Sequence, residues 1–171
     1  MMETKDIVVL GVVLTAALID VRTHRIPNFL TFGSAAAGLL YYAWIGGAAA
    51  LASSAGGWAI GIALLLPLFL LRGMGGGDVK LLGAVGAWLG PVGVLYAGLY
   101  SVLAGGVLAL VVGGMHGYLG KAFANIWGLL GLWRTAGIQP LPGLTLEDAE
   151  GPRLAYGVAI ASGTVATVWL R

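Results

Sequence analysis

Cysteine is missing from this chain, and charge is scarce. Without cysteine there is no disulfide, no thiolate nucleophile and no cysteine-ligated zinc. Charged residues make up only 9% of the chain, against 59% hydrophobic. A soluble domain carries about a quarter charged residues, so an ordinary soluble fold is excluded. The nine lysines and arginines are scattered rather than gathered on a polar face, which removes a nucleic-acid surface from consideration. No glycine-rich turn is followed by Lys-Ser or Lys-Thr, so no phosphate loop is present. His116 has no acidic or histidine neighbour at metal-ligand spacing. Neither a metal nor a cofactor is expected.

What the chain has in abundance is apolar length. Runs of roughly 17 to 25 residues, enough to cross a bilayer, recur from end to end. The fold class expected is all-α: a polytopic integral-membrane helix bundle of about six transmembrane helices. In 171 residues this leaves room for a single domain, residues 1–171. Thirty glycines suit close helix contacts in lipid. Acidic Glu3 and Asp6 precede the first run, which leads into Asp20 rather than a small-residue cleavage site, so a retained helix is expected.

The expected spans are Ile7 to Ile19, Phe29 to Trp44, Ala48 to Leu71, Val79 to Leu89, Val92 to Val112 and Leu154 to Leu170. Asp20 closes the first span and opens a loop to Pro27, with Asn28 expected to cap the second helix. Gly46-Gly47 and Gly90-Pro91 break the apolar pattern, and Pro67 should kink the third span. Between the last two spans lies the only substantial polar segment, about 113–153. Leu119, Phe123, Ile126, Leu130 and Trp133 recur there at three- and four-residue steps, the signature of an amphipathic helix in the interface plane. Arg22, Arg25, Arg72, Lys80, Lys121, Arg134 and Arg153 fall on one side of this scheme, and only Lys5 and Arg171 on the other. The positive-inside rule makes the first side cytoplasmic and puts both chain ends outside. Asp20 and Asp78 then lie on the same side and at similar depth.

The stretch Leu71-Arg72-Gly73-Met74-Gly75-Gly76-Gly77-Asp78-Val79-Lys80 is a glycine-rich turn ending in a carboxylate between two apolar runs. A charge at the edge of hydrocarbon costs a few kcal/mol unless solvated or paired, so it is rarely there by accident. Taken alone, Asp78 reads as a helix cap and Asp20 as a boundary residue. Taken together they are a carboxylate pair. One ionised and one protonated carboxyl can hydrolyse a peptide, the first taking a proton from water and the second donating to the substrate carbonyl. Two adjacent carboxyls titrate as a unit, which leaves open which one is the base. The glycines before Asp78 would let backbone approach an extended substrate and would adopt turns closed to other residues. Asp78 at a helix start also meets a favourable dipole. Arg22 and Arg25 read first as topology determinants, and His24 as a solvated loop residue. Lys80 is near enough to Asp78 to tune it.

These residues carry a resemblance. Asp20-Val21-Arg22-Thr23-His24-Arg25-Ile26-Pro27-Asn28 resembles the first aspartate motif of the type IV prepilin peptidases. Gly75-Gly76-Gly77-Asp78-Val79-Lys80-Leu81 resembles their second, the Gly-x-Gly-Asp signature. The closing Ala155-Tyr156-Gly157-Val158-Ala159 before the last span is also similar. The resemblance implies an integral-membrane aspartic endopeptidase of the cytoplasmic membrane, with Asp20 and Asp78 catalytic. It would remove a short basic leader from pilin-like or archaellin-like precursors at the cytoplasmic face. Gly75, Gly76, Gly77, Lys80, Arg25 and Asn28 are the candidate substrate-binding residues, and the implied partners are a prepilin-like protein and membrane lipid. Larger members also methylate the new N-terminus using paired Cys-x-x-Cys motifs; with no cysteine, peptidase activity alone is expected. Glu147, Asp148 and Glu150 offer a counter-surface for a basic leader, although a solvated acidic loop explains them as well.

Three other classes compete. A presenilin-like intramembrane protease shares Gly-x-Gly-Asp, but Asp20 follows Ile19 rather than a tyrosine and no Pro-Ala-Leu motif exists. An ion-coupled carrier would set its carboxylates near the bilayer midplane rather than at one interface. A pilus-assembly scaffold has no need of the pair.

Overall fold

The computed structural model describes residues 2–137 and 154–170. It is built from five helices: α1 (Thr4–Thr23), α2 (Asn28–Leu70), α3 (Gly76–Met115), α4 (Leu119–Ala136) and α5 (Tyr156–Trp169). No strand occurs among the described residues. Two of the helices, α2 and α3, are long and apolar enough to cross a membrane.

A straight helix of 43 residues would be about 65 Å long, roughly twice the hydrocarbon thickness. Both long helices avoid this by breaking. Gly47 (φ 64°, ψ −154°) interrupts α2, and Gly90 (φ 72°, ψ −177°) interrupts α3 just before Pro91. These are the two breaks expected from Gly46-Gly47 and Gly90-Pro91. Contacts show that α2 doubles back. Its first half meets α3 through Asn28 with Lys80 and Gly38 with Ala87. Its second half meets α3 in reverse order, Ser54 with Ala87, Gly57 with Gly86 and Gly61 with Leu82. Pro67, expected to kink the helix, lies inside α2 with no non-helical residue beside it.

The first half of α3 is the centre of the molecule: every residue from Leu81 to Leu89 is buried. Large side chains such as Leu81, Leu82 and Trp88 fill this core, but one seam is small: at Gly57 and Gly86 the two backbones touch, so a Cβ on either would collide with the other's carbonyl. Large apolar side chains also cover the outside, with Phe29, Trp44, Leu103 and Met115 all exposed. Glycine seams of close approach and an apolar exterior are the arrangement of helices packed in lipid.

The break at Gly90-Pro91 frees two carbonyls, because Pro91 has no N–H and Gly90 leaves the helical path. Both are satisfied from α2. Ser54 Oγ donates to Ala87 O at 2.7 Å, and the Tyr42 hydroxyl donates to Trp88 O at 2.8 Å. The Trp88 indole N–H in turn donates to Ser34, to its carbonyl at 3.0 Å and its hydroxyl at 3.1 Å. Side-chain partners of this kind are what make a broken helix tolerable at membrane depth.

Beyond α3, the chain turns at Gly117 (φ 65°), with the Tyr118 amide donating to Gly113 O at 2.8 Å. The amphipathic helix expected within 113–153 occupies Leu119–Ala136 as α4. It touches α3 alone among the described helices and exposes Phe123, Ile126 and Trp127. The acidic residues Glu147, Asp148 and Glu150 fall outside the described residues.

Candidate active site

Asp20 is not the end of α1. The helix runs one turn further, so Asp20 faces inward and is buried, where a loop beginning at Asp20 was expected. The Thr23 hydroxyl, near both Ile19 O at 2.9 Å and Arg25 O at 3.0 Å, ties the helix end to the connection. His24 then caps the helix in the left-handed region (φ 49°), its amide donating to Asp20 O at 2.8 Å. Its exposed ring and the exposed Arg22 and Arg25 project from this corner.

The glycine turn works differently from its sequence-based expectation. None of Gly73, Gly75, Gly76 or Gly77 has positive φ; the left-handed residue in this turn is Arg72 (φ 56°). Backbone freedom is therefore not what these glycines supply. Closeness is. A Cβ on Gly77 would lie 3.1 Å from Ile26 Cβ, so the loop after α1 rests directly on the start of α3. A Cβ on Gly76 would lie 3.2 Å from the Phe69 ring. Gly75, rather than Asp78, is the residue that caps α3, and Asp78 is the third residue of the helix. The Gly75 amide is directed at the Asp78 carboxyl, which is half-buried. A first-turn carboxylate facing an unsatisfied amide is stabilised by that bond and by the helix dipole.

The two aspartates come within electrostatic reach of each other at this end of the bundle. A third element completes the neighbourhood, the first turn of α5. The Gly157 amide donates to Asp20 Oδ2 at 2.9 Å in a buried bond spanning 137 residues of sequence. Beside it, Tyr156 lies within electrostatic reach of Asp78 and packs its ring on Gly105 of α3. The sequence motif Ala155 to Ala159 pointed to this turn, but no residue in it carries a charge, so its contact with Asp20 could not be read beforehand.

Of the other candidates, Lys80 and Asn28 are brought together. Lys80 Nζ donates to Asn28 Oδ1 at 2.9 Å and lies over the Phe32 ring, 5.1 Å from its centroid. Asn28 was expected to cap α2; Pro27 holds that position, and the Asn28 side chain links α2 to α3 instead. Arg25 is exposed, and its backbone carbonyl accepts from the Thr23 hydroxyl. No group of three or more metal-ligating side chains occurs among the described residues.

An apolar helix bundle with a carboxylate pair at one end has the build of a membrane-embedded acid–base hydrolase. The chain belongs to the type IV leader peptidase family, whose model matches residues 7–110 and so includes both Asp20 and Asp78. It is a peptidase by family, and a membrane protein by family and by its two long apolar helices. Neither a comparison with curated proteins nor one with solved structures yields a match.

Proposed function

We propose that this protein is an aspartic endopeptidase of the cytoplasmic membrane that cuts the short basic leader from type IV prepilin-like or archaellin-like precursors at the cytoplasmic face. The single observation that carries this reading is the convergence of Asp20 and Asp78, which lie 58 residues apart in the family-matched region, at one end of the bundle. The ionised member of the pair takes a proton from water, whose oxygen attacks the scissile carbonyl carbon. The protonated member donates to the carbonyl oxygen, and the tetrahedral intermediate collapses as the leaving amine takes up a proton. Such a pair works with one shared proton, so activity falls in acid, where both carboxyls are protonated, and in base, where both are ionised.

In this reading α1, the two halves of α2, the two halves of α3 and α5 are the six spans, with both chain ends outside. Lys80, Asn28, Arg25 and the glycines Gly75 to Gly77 border the scissile segment, and lipid surrounds the bundle. The proposed activity is peptide cleavage alone.

The test is cleavage of a co-expressed prepilin in membranes, scored by gel shift and N-terminal sequencing. Wild type should cut after the leader glycine, and Asp20→Asn and Asp78→Asn should not, at normal membrane levels. Full-rate cleavage by either variant would refute the two-carboxylate mechanism.

A further inference from the structure

Asp20 is held by a residue that the aspartate motifs do not contain. Gly157 is the second residue of α5, following the cap Ala155, so its N–H is one of the amides that a helix start leaves without an internal partner. Asp20 supplies that partner from another helix, at 2.9 Å and buried. The fit is close on every side. A Cβ at position 157 would lie 3.0 Å from Asp20 Oδ2, 3.1 Å from its Cβ and 3.3 Å from its Cγ, so the carboxyl lies flat against the Gly157 backbone. The same turn is fixed on its other flank by Tyr156 against Gly105, where α3 passes. The first turn of α5 therefore touches both helices that bear an aspartate.

Resting on the proposed peptidase activity, we infer that Gly157 is a positioning residue for Asp20. Its amide holds one carboxylate oxygen, and its missing side chain lets the carboxyl stand where it can face Asp78. A Cβ at this position would push the carboxyl by a few tenths of an ångström, which glycine avoids. This role lies outside the family-matched segment, which ends at residue 110.

Two experiments test the inference, one with catalysis and one without. In membranes, Gly157→Ala should lower kcat for precursor cleavage on the order of a hundredfold, with KM nearly unchanged, because a small misplacement of a reacting group is enough for such a loss. A purely structural role predicts a smaller folded fraction with kcat per folded molecule unchanged. Gly163→Ala, where a Cβ would strike Ser101 of α3, provides that comparison. A kcat per folded molecule within twofold of wild type in Gly157→Ala overturns the inference. The second experiment uses the absence of cysteine. The pair Asp20→Cys with Gly157→Cys should form a disulfide under mild oxidation in membranes, and failure to do so overturns the contact on which the inference rests. Because this readout needs no turnover, a wild type that cuts no precursor would refute the proposed activity while the cross-link still judges the contact.

Discussion

The two ends of the first half of α3 are built from similar materials and do opposite things. At the Gly90 end the helix breaks, and each freed polar group is taken up at once: Ala87 O by Ser54, Trp88 O by Tyr42, and the Trp88 indole by Ser34. At the Asp78 end the chain also turns through glycines, but what gathers there is a pair of carboxyls. Neutral donors and acceptors that match one for one make a closed joint, worth about 1 kcal/mol per bond and costly to leave half-made. Two acids cannot satisfy each other while both are charged, so the second end needs a proton, water or substrate to complete it. One end is closed by matched partners, and the other holds the groups to which the proposed function assigns the chemistry.

The sharpest way to break that comparison is to change each end and ask what fails. Asp20→Asn and Asp78→Asn should cost cleavage on the order of a thousandfold or more, within the range ascribed to acid–base groups, while the protein stays folded. Heat stability in detergent and cleavage rate, measured on the same samples, check both halves of the statement. Gly86→Leu should do the reverse. It forces the backbones of α2 and α3 apart, costs about 3 kcal/mol or more and lowers the midpoint of thermal unfolding before any specific effect on rate appears. Ser54→Ala is milder, leaving the Ala87 carbonyl without its donor for about 1–2 kcal/mol, with cleavage per folded molecule unchanged. Lys80→Ala should have the smallest structural effect, about 1 kcal/mol, since it removes one hydrogen bond and one contact with the Phe32 ring at an exposed site. If it nevertheless raises KM severalfold, Lys80 touches the substrate as well as Asn28.

Much of this was legible in the residues. The breaks at Gly46-Gly47 and Gly90-Pro91 follow from local chemistry that a single stretch displays. Asp20 and Asp78 stood out because acids are rare in apolar surroundings. The glycine turn was legible in position but not in reason, since positive φ was expected at the glycines and belongs to Arg72. Asn28 was read as a cap because its sequence neighbours suggest one, whereas Lys80, 52 residues away, claims its side chain. Trp88, buried in an apolar run, gave no sign that its carbonyl and indole would seal a break. Gly157 is the clearest case. A backbone amide leaves no mark in a sequence, and its partner is 137 residues distant. Local signals reveal which residues are unusual, and only packing reveals what they meet.

That distance also orders events in the life of the molecule. The ribosome completes α1, α2 and α3, and with them both aspartates, well before α5 exists. Until α5 is threaded into the bundle, Asp20 has no Gly157 amide to hold its buried oxygen. On the proposed reading, a chain arrested before Gly157 would carry both acids and cleave precursor far more slowly than the chain that includes α5.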